Sequence, residues 1–255
     1  MAKGVYDVVM GRQILHGAAR VLAVSDAERL QLRAIGVADA SVRVVPNPID
    51  VDEFTQSVTP EVFRRRFGLP DRSSAPLVMF LGKLTPRKRV DVLVRAFAQL
   101  DRHDARLVIA GNNMGAGADI QTLVRALGLE ARTIFTGLLR GPDRLEALAD
   151  ADVVVYPSQD EVFGLVPLEA LLSGTPVIVA DDSGCGEVVR HTGGGQVVPL
   201  GNVEALARAI GAVLDAPSAW RAATVRAADR IRATYGDDVV CEQIEQLYRE
   251  MVTPS

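Results

Sequence analysis

Residues 161–176 of the chain read EVFGLVPLEALLSGTP, and no other stretch says as much about its architecture. The β-branched run at residues 153–156 precedes it and predicts a buried parallel strand, and the apolar run at residues 177–180 predicts a second one. Between them, residues 164–172 predict a helix, which the glycine and the proline near the end of the stretch terminate. The order strand, helix, strand is typical of a parallel α/β sheet. In such a sheet the turn before the helix lies at the carboxyl ends of the strands, where ligands bind.

Two glutamates, Glu161 and Glu169, lie on either side of this turn. Gly164 between them lets a ligand approach the backbone closely. An ionised carboxylate accepts two hydroxyl donors and suits the diol of a ribose or a hexose, while the free N–H groups at the helix start favour an anion. The pattern therefore indicates a site for a sugar, a phosphate and a second sugar. The alternative, that both glutamates are ordinary surface residues, is the commoner case for an isolated pair.

The whole stretch resembles the E-x7-E signature of the retaining GT-B glycosyltransferases, a group that includes glycogen synthases, sucrose synthases and bacterial mannosyltransferases. The resemblance implies that Glu161 orients the sugar of a nucleotide-sugar donor and that Glu169 holds its ribose hydroxyls. It also implies that backbone amides of residues 163–166 contact the sugar and the diphosphate.

A second informative stretch, GKLTPRKR at residues 82–89, follows the apolar run that predicts the first buried strand. It gathers four cations where a helix is predicted to begin, which is unfavourable unless an anion lies between them. We therefore expect a metal-independent diphosphate site, with Lys83 and Lys88 stabilising the charge of the leaving phosphate. The alternative is a solvated basic loop. The stretch resembles the family motif Gly-Arg-Leu-x-x-x-Lys-Gly, in which Lys88 matches, but Lys83 replaces the usual arginine and Arg89 the usual glycine.

A third segment, FTGLL at residues 135–139, resembles the part of these enzymes whose backbone meets the nucleotide base. The predicted nucleotide-sugar-binding residues are thus Gly82, Lys83, Lys88, Leu138, Glu161, Phe163, Gly164, Leu165, Val166 and Glu169, and the predicted catalytic residues among them are Lys83, Lys88 and Glu161. We expect no metal and no cofactor beyond the donor substrate. Asp150 and Asp152 form a D-x-D triad, but it precedes the predicted strand at residues 153–156 and so lies away from the ligand edge.

Composition limits the class of protein. The chain has 255 residues, 48% of them hydrophobic, a mean hydropathy of +0.16 and a formal net charge of −4. These values predict a globular protein with a substantial core and argue against broad binding to nucleic acid. No apolar run is long enough for an integral membrane segment, and no secretory signal is visible. Two cysteines without metal-ligand spacing favour a cytoplasmic location.

Strands and helices alternate from residue 77 onward, which predicts an α/β fold with a Rossmann-like, doubly wound parallel sheet. The resemblance implies that this sheet is the C-terminal half of a GT-B enzyme. We divide the chain into an N-terminal β-α-β remnant of the acceptor-side domain with the crossover (1–45), a nucleotide-sugar donor-binding domain (46–235) and a C-terminal helix (236–255). The crossover resembles the family's Pro-Asn-Gly, with Pro48 in place of the glycine.

The sequence therefore predicts the donor-binding domain of a retaining hexosyltransferase, inactive or incomplete without an acceptor domain. That domain could lie on another chain, and a homodimer is also compatible. The remnant could pack on a second copy, on a separate acceptor domain or on the C-terminal helices. One alternative is a non-catalytic nucleotide-sugar sensor or regulatory subunit, and another is a hydrolase that uses Glu161 and Glu169 as paired carboxylates. The base, the sugar and the acceptor are not indicated.

Overall fold

Two parallel sheets lie in the described part of the chain, residues 11–56, 58–182 and 184–252 of this computed structural model. The first ten residues of the predicted remnant, and the last three of the predicted C-terminal helix, lie outside that part. The strands are β1 (Val21–Ala23), β2 (Val42–Val44), β3 (Leu77–Leu81), β4 (Arg106–Ala110), β5 (Thr133–Gly137), β6 (Val153–Tyr156), β7 (Val177–Asp181) and β8 (Gly195–Pro199). The α-helices are α1 (Arg12–Gly17), α2 (Asp26–Ala34), α3 (Val62–Arg66), α4 (Val90–Ala98), α5 (Gly117–Ala126), α6 (Pro142–Asp150), α7 (Leu165–Leu172), α8 (Gly184–Thr192), α9 (Val203–Asp215), α10 (Pro217–Tyr235) and α11 (Asp237–Val252).

The main sheet has the strand order β5-β4-β3-β6-β7-β8, and every neighbouring pair is parallel. The first strand of this sheet, β3, therefore lies at its centre. Strands β4 and β5 follow on one side of β3, and β6, β7 and β8 follow on the other. The strand order reverses between β3 and β6. In a doubly wound sheet the loops after these two strands diverge and leave a crevice at the carboxyl edge. The prediction of a Rossmann-like parallel sheet is confirmed.

Burial explains why the strand sequences are continuous apolar runs. All residues of β3 and β6 are buried, as expected for parallel strands covered by helices on both faces. The covering helices are amphipathic: α4 buries Val90, Leu93, Val94 and Phe97 and exposes Arg95. Hydrophobic packing of helices on the sheet therefore holds the crevice in place.

Helix α8 is an element that the sequence pattern did not predict. It begins with Gly184, and Gly186 lies in its first turn, so its start has weak helix propensity. The glycine at 184 is required by packing, because a Cβ atom there would overlap the Val162 carbonyl oxygen and lie 2.6 Å from Ser25 Oγ. The Cys185 N–H then donates to the Glu161 carbonyl oxygen at 3.1 Å. Tertiary contact with the loop after β6 thus outweighs local propensity.

The N-terminal segment forms the predicted β-α-β unit, in which β1 and β2 pair in parallel. It is attached to the main domain through Glu187 of α8, whose carboxylate accepts hydrogen bonds from the Asp26 and Ala27 N–H groups at 3.1 Å each. Residues 43–45 also line a groove of about 480 Å³ together with α11. The segment and the C-terminal helix thus line the same groove, and their packing on one another stays a prediction. Packing on a second copy or on another chain stays a prediction.

Main-chain hydrogen bonds at Ile49 join the crossover segment to the end of α10 and the start of α11. The Ile49 N–H donates to the Tyr235 carbonyl oxygen at 2.8 Å, and the Asp237 N–H donates to the Ile49 carbonyl oxygen at 3.2 Å. The chain therefore enters and leaves the main domain at one place.

The D-x-D triad takes part in an arginine cluster at the amino ends of β3 and β6. The Asp152 carboxylate accepts hydrogen bonds from Arg64 Nη2 and the Leu77 N–H at 2.8 Å each. Its other oxygen lies 3.3 Å from both Arg72 and Arg221. Only 1% of the Arg64 side chain is exposed. The triad thus lies at the edge opposite the crevice, where Asp152 pairs with buried arginine charge.

In the described residues, none of the helices combines the length and the apolar character that crossing a membrane requires.

Candidate functional site

The loops that follow β3 and β6 form the walls of the crevice and are joined to each other. The Gln159 N–H donates to the Arg87 carbonyl oxygen at 2.8 Å, and Arg87 Nη2 donates to the Asp160 carbonyl oxygen at 2.5 Å. These contacts bring the two stretches singled out in the sequence, residues 82–89 and 161–169, to the same edge of the sheet. The arrangement agrees with the rule that ligands bind where the strand order reverses.

Lys88, Tyr156 and Glu161 form a hydrogen-bonded cluster between these walls. Lys88 Nζ donates to both Tyr156 OH and Glu161 Oε2. The Tyr156 hydroxyl lies 3.2 Å from the same Glu161 oxygen, and Lys88 Nζ lies 4.5 Å from the centroid of the tyrosine ring. About a fifth of the Lys88 and Glu161 side chains is exposed, so both can reach a ligand. Two predicted catalytic residues are therefore in direct contact.

Tyr156 forms the floor of the cluster. Its ring stacks on Phe80 of β3 with a centroid distance of 6.1 Å, and Gly82 lies against the same two rings. Burial, followed by the nearby Glu161 carboxylate, raises the pKa of Tyr156, so its hydroxyl stays protonated and can donate to Glu161. Sequence reasoning placed this tyrosine in a strand and missed its role. The available signal was a polar-tipped aromatic side chain at the carboxyl end of a central strand.

Glu169 contacts a different set of residues. It lies in α7 and forms an ion pair with Arg144 of α6, which also bonds to Glu53 Oε2 at 2.5 Å. Burial lowers the pKa of Arg144, but the two carboxylates outweigh it and the pKa is raised. Neither Arg144 nor Glu53 was identified from the sequence, because no spacing connects them with Glu169. The predicted ribose-binding residue Glu169 is thus paired with the guanidinium group of Arg144.

Burial of Glu169 predicts a dependence of stability on pH. The pKa of Glu169 is raised above its ordinary value of 4.5, because burial outweighs the attraction of Arg144. Folding therefore favours the protonated form, and the stability this contributes is present below the unfolded-state pKa and lost as the pH rises through the folded-state pKa. We expect Glu169→Gln to gain stability relative to wild type as the pH rises above about 4.5.

Urea unfolding of both proteins between pH 4 and pH 7 measures this difference. The exposed Glu245 of α11, replaced by Gln, is the surface control. A stability difference between Glu169→Gln and wild type that does not change with pH would contradict the expectation.

The turn at residues 163–166 joins a buried aromatic anchor to the start of α7. Phe163 is buried and makes an edge-to-face contact with Tyr235 at 5.6 Å between ring centroids. Gly164 has φ = 84°, and a Cβ atom there would lie 3.0 Å from Cys185 Sγ, so a larger residue would be strained. Leu165 is exposed and Val166 is half-buried at the start of α7, which no side chain caps. The first N–H groups of α7 are thus available for an anion.

Lys83 and Leu138 lie at the margins of the site. The Lys83 side chain is exposed and makes no hydrogen bond or ion pair with any residue that the structure describes. Leu138 is 51% exposed just after β5, the edge strand that is two positions from β3. Neither residue touches the Lys88–Tyr156–Glu161 cluster, and their predicted roles stay predictions.

Among the described residues, no group of three or more histidine, cysteine, aspartate or glutamate side chains is placed to hold a metal ion.

Cys185 lies beneath the site, and its thiol should be unreactive. Burial, followed by the charge of Glu161, raises the pKa of this thiol, whereas Cys241 on α11 is exposed. In the folded protein we expect a thiol reagent to modify Cys241 alone, and to modify both cysteines after denaturation. Mass spectrometry of the labelled chain measures this, with Cys241→Ser as the control. Rapid labelling of Cys185 in the native protein would show that the loop over it opens.

Comparison with known proteins gives consistent matches over this region. A family model described as "Glycosyl transferases group 1" matches residues 63–230, more than half of the chain. A D-inositol 3-phosphate glycosyltransferase of Kineococcus radiotolerans is 33% identical over 96% of this chain and 60% of its own length. An uncharacterised glycosyltransferase of Methanocaldococcus jannaschii is 36% identical over 68% of this chain and 45% of its own length. The chain thus spans about half of the length of the curated relatives that it matches.

Solved structures show the same fold. A sucrose-phosphate synthase from Thermosynechococcus elongatus matches with a TM-score of 0.81 and 30% identity, over 94% of this chain and 60% of that one. Anabaena Alr3699/HepE, crystallised in complex with UDP, matches with a TM-score of 0.85 and 22% identity, over 94% of this chain and 66% of that one.

Proposed function

Because the chain belongs to the group 1 glycosyl transferases, we propose that it binds a nucleotide diphosphate sugar and supplies the donor side of a retaining hexosyl transfer. The observation that carries this proposal is the Lys88–Tyr156–Glu161 cluster at the point where the strand order reverses. It sets a cation and a carboxylate side by side beside the uncapped start of α7. A diphosphate can bind to the cation and to the helix start, and the hydroxyls of a sugar can donate to the carboxylate.

Each group has a separate task in the proposed reaction. Glu161 accepts hydrogen bonds from hydroxyls of the donor sugar, and Lys88 binds the diphosphate and stabilises its charge as the glycosidic bond breaks. The exposed Lys83 offers a second ammonium group to the same diphosphate. Glu169, held by Arg144, accepts the ribose hydroxyls. All positive charge for the leaving group comes from side chains and a helix N-terminus, so we propose that no metal is needed.

The donor class is supported by a structural neighbour. Anabaena Alr3699/HepE was crystallised with UDP and with UDP-glucose. The curated relatives extend well beyond the length of this chain, and the acceptor in the name of several is D-inositol 3-phosphate. We therefore propose that transfer requires a further acceptor-binding part, in the same polypeptide or in another chain. We also propose that the reaction takes place in the cytoplasm.

Isothermal titration calorimetry with a panel of nucleoside diphosphates and their hexose conjugates tests the proposal. We expect saturable binding of one base class, unchanged after the protein has been treated with a chelator. Absence of binding across the panel would overturn the function, and loss of binding with the chelator would overturn its independence of metal. Hexosyl transfer by the chain would exclude the alternative of a sensor without turnover.

Glu169→Gln tests the role proposed for this residue. The amide keeps the volume but gives up a charged acceptor for the diol, so discrimination between ribose and deoxyribose diphosphates should fall about tenfold. Equal discrimination by the variant and wild type would remove Glu169 from the ribose site. A hydrolase, the other alternative, would instead lose turnover with nucleotide affinity unchanged.

A further inference from the structure

The Tyr156 hydroxyl occupies an unusual position between the two charged residues of the site. It accepts a hydrogen bond from Lys88 Nζ and donates one to Glu161 Oε2, at 3.2 Å. Glu161 Oε2 thus accepts hydrogen bonds from both Lys88 Nζ and Tyr156 OH. The ammonium group that is proposed to bind a diphosphate thus also contacts a carboxylate.

Under the proposed function, Lys88 has two anionic partners, the Glu161 carboxylate and the diphosphate of the donor. A diphosphate carries more negative charge than Glu161, so Lys88 turns toward it and loosens its contact with the carboxylate. About three quarters of the Glu161 side chain is covered, and a partly buried carboxylate is oriented by the hydrogen-bond donors that it keeps. The Tyr156 hydroxyl is in place for this task.

The surroundings of Tyr156 allow it to stay in place when Lys88 moves. Its ring is held against Phe80 in a nearly parallel stack, with an angle of 10° between the two planes. It is the last residue of β6, a central strand whose residues are all buried. The lysine, in contrast, has a long flexible side chain in the loop after β3. The cluster thus joins an aromatic side chain packed in the sheet and a long aliphatic side chain from a loop to the same carboxylate oxygen.

We propose that Tyr156 is a positioning residue, which keeps Glu161 directed at the donor sugar while Lys88 transfers from Glu161 to the diphosphate. This inference rests on the proposed function and assigns a task within that site. It predicts that the hydroxyl matters for the sugar and not for the nucleotide, because Glu161 contacts only the sugar.

Tyr156→Phe removes only the hydroxyl and keeps the stacked ring. Calorimetric titration should compare the nucleoside diphosphate that wild type binds most tightly with its hexose conjugate. We expect affinity for the conjugate to fall about tenfold, and affinity for the nucleoside diphosphate to change less than twofold. Tyr235→Phe, which removes the hydroxyl of another buried tyrosine, is the matched control and should not alter the ratio. Equal changes for both ligands in Tyr156→Phe would overturn the proposal.

A measurement without ligand separates this inference from the proposed function. A double-mutant cycle combines Tyr156→Phe with Glu161→Ala and measures the free energy of unfolding in urea. If the hydroxyl holds the carboxylate, the double variant should lose less than the sum of the two single losses. Additive losses would overturn the positioning role, even if nucleotides bind. If the losses are not additive but no nucleotide binds, only the proposed function would be overturned.

Discussion

Asp152→Asn should lower the free energy of unfolding by about 3–5 kcal/mol, the range for breaking a buried ion pair by removing one partner. Asp152 is the shared carboxylate of Arg64, Arg72 and Arg221 at the amino ends of β3 and β6. Burial already lowers the pKa of Arg64, and Asp152 is the group that most opposes this. A neutral amide would leave a fully buried guanidinium without its charged partner.

Urea unfolding monitored by circular dichroism measures this loss. Asp215→Asn is the matched control, because Asp215 also pairs with an arginine, Arg102, but is 72% exposed. An exposed ion pair contributes less than about 1 kcal/mol, so the control should unfold close to wild type. Similar losses for the two variants would contradict the view that burial of the arginine cluster stabilises the fold.

Lys88→Ala should weaken binding of a nucleoside diphosphate by about 10- to 150-fold, which corresponds to roughly 1.5–3 kcal/mol for a hydrogen bond to a charged group. The same variant should change affinity for the nucleoside much less, because the ammonium group is proposed to contact only the diphosphate. It also takes a charged donor from Glu161, so a nucleotide sugar should be affected at least as strongly as the diphosphate.

Calorimetric titration with nucleoside, nucleoside diphosphate and nucleotide sugar separates these contributions. Arg95→Ala is the control, since Arg95 is an exposed cation on α4, the helix that follows the Lys88 loop. Equal losses of affinity for nucleoside and diphosphate would point to a general loss of structure. Unchanged affinity for the diphosphate would remove Lys88 from the site.

Much of the fold could be predicted because parallel strands have a strong local signature. Each central strand is an apolar run between turn residues. The predicted run at residues 153–156 coincides with β6, and the run at residues 177–180 covers all but the last residue of β7. Helix α8 could not be predicted in the same way. Two glycines near its start, at 184 and 186, argue against a helix locally, and the close approach of Val162 and Ser25 explains the first of them.

The candidate site could be predicted in part. Lys88 and Glu161 stand in recognisable stretches that each follow a buried strand, and the carboxyl ends of neighbouring parallel strands lie at one edge. Their direct contact requires that β3 and β6 be neighbours, which the strand order alone establishes. The resemblance to GT-B enzymes pointed to the same residues, and the roles taken from it stay predictions.

Local pattern was therefore sufficient for the α/β class, the parallel sheet and the two loops that carry the site, because apolar periodicity and turn residues act over a few neighbouring positions. The partners of the charged groups depended on the folded chain. Tyr156 beneath Lys88 is 68 residues away from it in sequence, and Arg64 is 88 residues away from Asp152. Such contacts depend on the order in which strands pair and helices pack. The sequence next to each partner does not indicate that order, so the contacts could not be predicted from it.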